Sequence, residues 1–183
     1  MKKRVLALVL VMAASFCLGA CGSKEPTVED VMEQSKSVMD NLSKQADERD
    51  RERQKLIDKN RVDLDEKIVL KGEKADITVK AYSIIQWNTF GTENTQMYFI
   101  FDYTNKEDKD MFFSNQISLT GYQNGIALNV APYFDDTATR QIAPQTKIER
   151  MEAIVLDSKD ADVKLKIEEH GTDNFVEHTI KIK

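Results

Sequence analysis

Residues 75–87, ADITVKAYSIIQW, decide the fold of this chain. Ala75, Ile77, Val79, Ala81, Ile85 and Trp87 alternate with Asp76, Thr78, Lys80 and Gln86, and a period of two marks a strand with one buried face. Trp87 then falls in line with Ile85 and is expected to end that strand facing the core. Residues 97–103, MYFIFDY, are apolar on both phases and predict a central strand. Residues 117–123 and 126–130 flank Asn124-Gly125, a pair that tolerates the positive φ angles of a tight hairpin turn. Further strands are expected at 147–156, 163–169 and 175–182, and a weaker one at 67–70. About eight short antiparallel strands separated by turns predict a mainly β fold, a β-sandwich, over residues 61–183.

Upstream of residue 60 the period changes from two to that of a helix. Val28, Val31, Met32, Val38, Met39 and Leu42 recur at helical spacing, and Thr27 with Asp30 three residues on fits a capping box. From residue 45 the apolar stripe fades and charge takes over. Asp47/Arg51, Glu48/Arg51, Asp50/Arg53 and Glu52/Lys55 are spaced as intrahelical pairs, each worth about 0.2 to 0.5 kcal/mol. A helix over 27–60 is expected, with a reach of roughly 48 Å at 1.5 Å per residue. A coiled coil needs apolar heptads sustained over three or four repeats, so a charged stalk is the favoured reading.

The first twenty residues differ from all the rest. Lys2, Lys3 and Arg4 precede an apolar run, residues 5–16, that is too short to span a bilayer and of the length of a signal peptide. Leu18-Gly19-Ala20-Cys21 resembles the lipobox of bacterial lipoproteins. That resemblance implies cleavage before Cys21 and acylation of its sulfur, with 1–20 as the leader and 21–26 as a short linker. Each buried methylene contributes about 0.8 kcal/mol, so two or more acyl chains hold a protein on a membrane stably. The expected location is the extracytoplasmic side of the cell membrane. Cys17 leaves with the leader, and no internal disulfide can form in the mature chain.

Removing the leader takes three basic residues and no acid, so the formal charge moves from −5 to −8. Such a surface repels polyphosphate backbones, and nucleic-acid binding is not expected.

Phe101-Asp102-Tyr103-Thr104-Asn105, Tyr122-Gln123-Asn124-Gly125 with Leu128, and Ile142-Ala143-Pro144 together resemble an uncharacterised lipoprotein family of Gram-positive Firmicutes. The resemblance runs from about Lys67 to the C-terminus. It implies an immunoglobulin-like domain of unknown function, related in fold to a secreted mycobacterial immunoprotective antigen, and brings no activity with it. Pro144-Gln145 stands where the family suggests Pro-Gly. Trp87 lacks the cysteine pair of an antibody domain, so immunoglobulin-like here means sandwich architecture.

A search for chemistry yields little. His170 and His178 bracket a turn at 171–174, but His178 is in line with Val176, Ile180 and Ile182, and no cysteine or third histidine completes a zinc site. Asp135-Asp136 and residues 157–162 are acidic turns without the spacing of an EF-hand loop. No nucleophile elbow and no glycine-rich phosphate loop are present, and no metal or cofactor is expected. A non-enzymatic surface module that binds an envelope protein or glycan is the favoured reading. An envelope hydrolase with an unrecognised carboxylate site is the alternative. The candidate binding loop is 87–96, which sets Trp87 and Phe90 among small polar residues.

Overall fold

The computed structural model describes residues 28–89, 91–131 and 140–182. Among the described residues one helix, α1 (Val28–Lys59), precedes eight strands: β1 (Arg61–Lys71), β2 (Ala75–Thr89), β3 (Thr92–Asn105), β4 (Ile117–Gln123), β5 (Ile126–Ala127), β6 (Lys147–Val155), β7 (Val163–Glu169) and β8 (Phe175–Ile180). The chain falls into two compact units, Met1–Glu52 and Arg53–Lys183. In the first, α1 carries exposed apolar side chains at Val28, Val31, Met32, Val38, Met39 and Leu42.

The second unit is the expected antiparallel β-sandwich, built from two open sheets in the orders β1-β2-β3-β6 and β5-β4-β7-β8. Every pairing is antiparallel. Ile77, Val79, Phe99, Phe101 and Tyr103 of one sheet meet Ile117, Val163, Leu165, Ile167 and Ile180 of the other in one buried core. Phe113, in a short 3-10 turn before β4, closes one end with its ring edge-on to Tyr103 at 5.2 Å.

A bulge at Lys80 overturns the reading of residues 75–87 as one face. The register of β2 on β3 slips between Val79 and Ala81, so Val79 pairs with Phe101 and Ala81 with Ile100. An extra residue in a strand with a side-chain period of two reverses the faces beyond it. Ala75, Ile77 and Val79 therefore enter the sandwich core, whereas Ala81, Ile85 and Trp87 belong to a second apolar cluster with Tyr98, Ile100 and Ala153. Trp87 is not a plug between the sheets. It packs on the outer face of the first sheet, half-buried.

The last turns of α1 cover that second cluster. Ile57 is fully buried in it, Leu56 packs against it, and the Arg53 guanidinium lies 5.7 Å from the Trp87 ring centroid. Arg53, whose spacing predicts a solvated ion pair, is only 6% exposed. Asn60 stops the helix: its backbone and side-chain N–H groups both donate to the Leu56 carbonyl, at 3.1 and 2.8 Å.

Two strand expectations change in extent. The 87–96 connection is mostly strand, because β2 and β3 pair out to Thr89 opposite Thr92 and run 15 and 14 residues. The strand expected at 126–130 ends at Ala127, because the chain there crosses between the sheets. Leu128 N–H still donates to Gly121 of β4, but Val155 N–H donates to Asn129 and Ala131 N–H to Ala153, both on the edge of β6.

Candidate functional site

The outer face of the second sheet carries a depression of about 410 Å³ where three strands and a turn meet. Strand alternation that buries Val163, Leu165 and Ile167 turns Lys164 and Lys166 outward. Register places Tyr122 opposite Lys164 on one side and Thr179 opposite it on the other. Glu177 pairs with Lys166 across β7 and β8, and its carboxylate takes the Lys164 ammonium at 2.7 Å. Lys166 in turn donates to Glu168 at 2.6 Å and lies 5.3 Å from the Phe175 ring centroid. The hydrogen bond that Lys166 donates to Glu168 raises the lysine pKa against an opposing effect of burial, so this ammonium is charged at neutral pH. Asn124 and Gly125, at φ +51° and +81°, form the rim as the expected hairpin turn. The result is an open patch of aromatic, hydroxyl, amide and paired charged groups.

Buried polar side chains hold this patch in place. Gln123 acts as a surrogate peptide group: its Nε2 donates to the Ser158 and Ala161 carbonyls, both at 2.7 Å, and its Oε1 accepts from Asp157 and Ser158 N–H at 3.0 and 3.1 Å. The acidic 157–162 turn is thus fixed through its backbone by the residue that starts the Asn124-Gly125 turn. Asp162, on the rim of the depression, also accepts from Ile182 N–H at 3.2 Å.

At the other end of β7, Glu169 reaches across to the β1–β2 hairpin. Its carboxylate accepts from the backbone N–H of Glu73 (2.9 Å), Lys74 (2.6 Å) and Ala75 (3.0 Å), and from Thr172 Oγ1 and Asn174 Nδ2. Burial alone would raise its pKa, yet the bond from Asn174 and the three backbone bonds hold it at about 2. Gly72 is required there, since a Cβ would stand 2.2 Å from the Glu169 carboxylate. Beside it Gln116 accepts from the Tyr103 hydroxyl and donates to Asn105, while Asn105 donates to the Lys109 and Ile142 carbonyls. Burial pushes the Tyr103 hydroxyl up to about 12, so it stays a donor. Every oxygen of Glu169 is engaged, which leaves no lone pair to take a substrate proton.

The other sequence candidates stand apart. His170 is exposed, and its backbone bonds Gln116 and Lys74. His178 is half-buried opposite Leu165, five strand residues or roughly 16 Å from His170. No group of three or more His, Cys, Asp or Glu side chains suited to a metal occurs among the described residues. Trp87 lies in β2 beneath Arg53. Phe90, Cys21 and Asp135-Asp136 lie outside the described residues. The patch around Tyr122 was missed because its members come from 122–125 and 162–179; only the Lys-Leu-Lys-Ile alternation of β7 signals a polar outer face.

A family model for a domain of unknown function, DUF5067, matches residues 50–169. The chain belongs to the DUF5067 family. The DUF5067 match begins just before Arg53 and ends on Glu169, so the family domain takes in both the docked helix turns and the carboxylate clamp. Three solved structures are similar to this chain. A Staphylococcus aureus protein described as a "putative lipoprotein" has 16% identity and a TM-score of 0.48, over 64% of this chain and 94% of its own. A conserved hypothetical protein from Bacillus anthracis has 10% identity and a TM-score of 0.46, over 67% and 96%. A functionally unknown protein from Listeria monocytogenes has 12% identity and a TM-score of 0.40, over 67% and 88%. No curated protein matches the chain.

Proposed function

We propose that this DUF5067 protein is a non-enzymatic binding module, lipid-anchored through Cys21 on the extracytoplasmic face of the cell membrane, that takes an envelope glycan on the outer face of its second sheet. The observation that carries the reading is the depression between Tyr122, Lys164 and Glu177. A glycan offers hydroxyl and amide groups to paired charges and an apolar ring face to an aromatic side chain, which is the mixture found there. Leu18-Gly19-Ala20-Cys21 supports the anchor, and the fold kinship with the mycobacterial secreted antigen belongs to the same reading. The hydrolase alternative is disfavoured because the most perturbed carboxylate, Glu169, is committed to the backbone of 73–75. Titration calorimetry of the mature chain with soluble cell-wall glycan fragments tests the proposal. Tyr122→Ala and Lys164→Ala should each weaken binding by about tenfold, or roughly 1.4 kcal/mol. Binding that ignores both substitutions, or no binding by the wild type, would remove this face as the site.

A further inference from the structure

We infer that the first part of α1 pairs with a second copy of this chain, in parallel and in register, through Val28, Val31, Val38 and Leu42. Six large apolar side chains stand exposed within residues 28–42, with Val28 at 77% and Leu42 at 58%. That is more apolar surface on four turns than a solitary solvated helix presents. Val28, Val31, Ser35, Val38 and Leu42 follow the alternating three- and four-residue spacing of a coiled-coil seam, and Met32 and Met39 flank it. Ser35, the polar residue in the seam, donates its hydroxyl to the Val31 carbonyl at 2.7 Å and so brings no unsatisfied donor into a packed interface.

Charge selects the occupant. Helices that lie on bilayers are rich in Lys and Arg, whereas residues 28–44 carry Glu29, Asp30, Glu33 and Asp40 against Lys36 and Lys44. An anionic bilayer would repel this net-negative segment. Orientation comes from the anchor, and to that extent the inference rests on the lipidation in the proposed function. Cys21 lies seven residues before Val28, at most about 25 Å of chain, so two anchored copies start their helices within that distance of one shared surface. A parallel pairing needs neither linker stretched, and it places identical residues opposite one another. The seam ends where Gln45 and Arg49 replace apolar residues, so it is short and gains from the raised local concentration of a shared membrane.

Disulfide trapping in cells expressing the full chain tests this, with fatty-acid labelling run on the same samples. Val38→Cys should give cross-linked dimer at least tenfold more than Asp40→Cys, which lies on the opposite side of the helix. Adding Leu42→Glu to Val38→Cys should abolish the cross-link while Trp87 emission, reporting the folded sandwich, stays unchanged. Labelled protein that cross-links equally at both positions, or at neither, would overturn the pairing; protection of the stripe by vesicles of anionic lipid, with the chain monomeric, would overturn it in favour of the bilayer. Unlabelled protein that still cross-links at Val38 would uphold the pairing and refute the anchor alone.

Discussion

Glu169→Gln probes the clamp between the sheets. The substitution keeps shape and volume but replaces a carboxylate oxygen by an amide nitrogen, facing backbone donors that have no other partner in place. The glutamate pKa moves from its ordinary 4.5 to about 2 in the folded chain. At about 1.36 kcal/mol per pH unit, this is on the order of 3 kcal/mol of native-state stability. Because the folded value is the lower one, that stability is fully present above pH 4.5 and is lost as pH falls toward 2. Thermal unfolding at pH 7 should show Glu169→Gln melting about 6 to 12 °C below wild type, at roughly 2 to 4 °C per kcal/mol. The gap should narrow severalfold as both proteins are acidified to pH 2.5. A variant within about 2 °C of wild type at pH 7, or a gap that persists undiminished at pH 2.5, would show that the carboxylate charge does not hold the hairpin.

Three further outcomes are expected. Ile57→Ala should cost about 2 to 5 kcal/mol in urea unfolding of the sandwich, since the side chain is fully buried; a change under about 0.5 kcal/mol would detach the helix end from the fold. Gln123→Ala strands two N–H groups and two carbonyls of the 157–161 turn, so amide exchange at Asp157 and Ser158 should accelerate well beyond that of β7. Cys21→Ser should abolish fatty-acid labelling, and a Ser variant that still takes the label would refute the lipobox reading.

The sandwich was legible because its strongest signals are local. Leu165 and Ile167 alternate with lysines, 97–103 is apolar on both faces, and Asn124-Gly125 can take the φ angles it adopts. Gln145 takes φ +56°, the left-handed geometry for which the expected Pro-Gly would supply glycine. The bulge at Lys80 was less legible, although Tyr82 and Ile84 fall out of phase with the residues before them. Once that slip is placed, Trp87 moves from the core to the outer face. Glu169 and Gln123 were not legible at all, since each looks like an ordinary strand-end polar residue until a partner 34 to 96 positions away is brought beside it. Arg53 read as one more member of a charged run because the ring that covers it comes from β2.

The docked end of α1 also has a mechanical consequence. β1 is an edge strand, and an edge strand tugged from its own terminus peels away one hydrogen bond after another at low force. A pull from the N-terminal side of this chain meets Arg53 and Ile57 first, seated over the two central strands rather than the rim. Those turns must be sheared off the sheet together before tension reaches Arg61. The unit is thereby suited to resist traction from its N-terminal side, as a rope made fast amidships holds better than one tied to a loose plank.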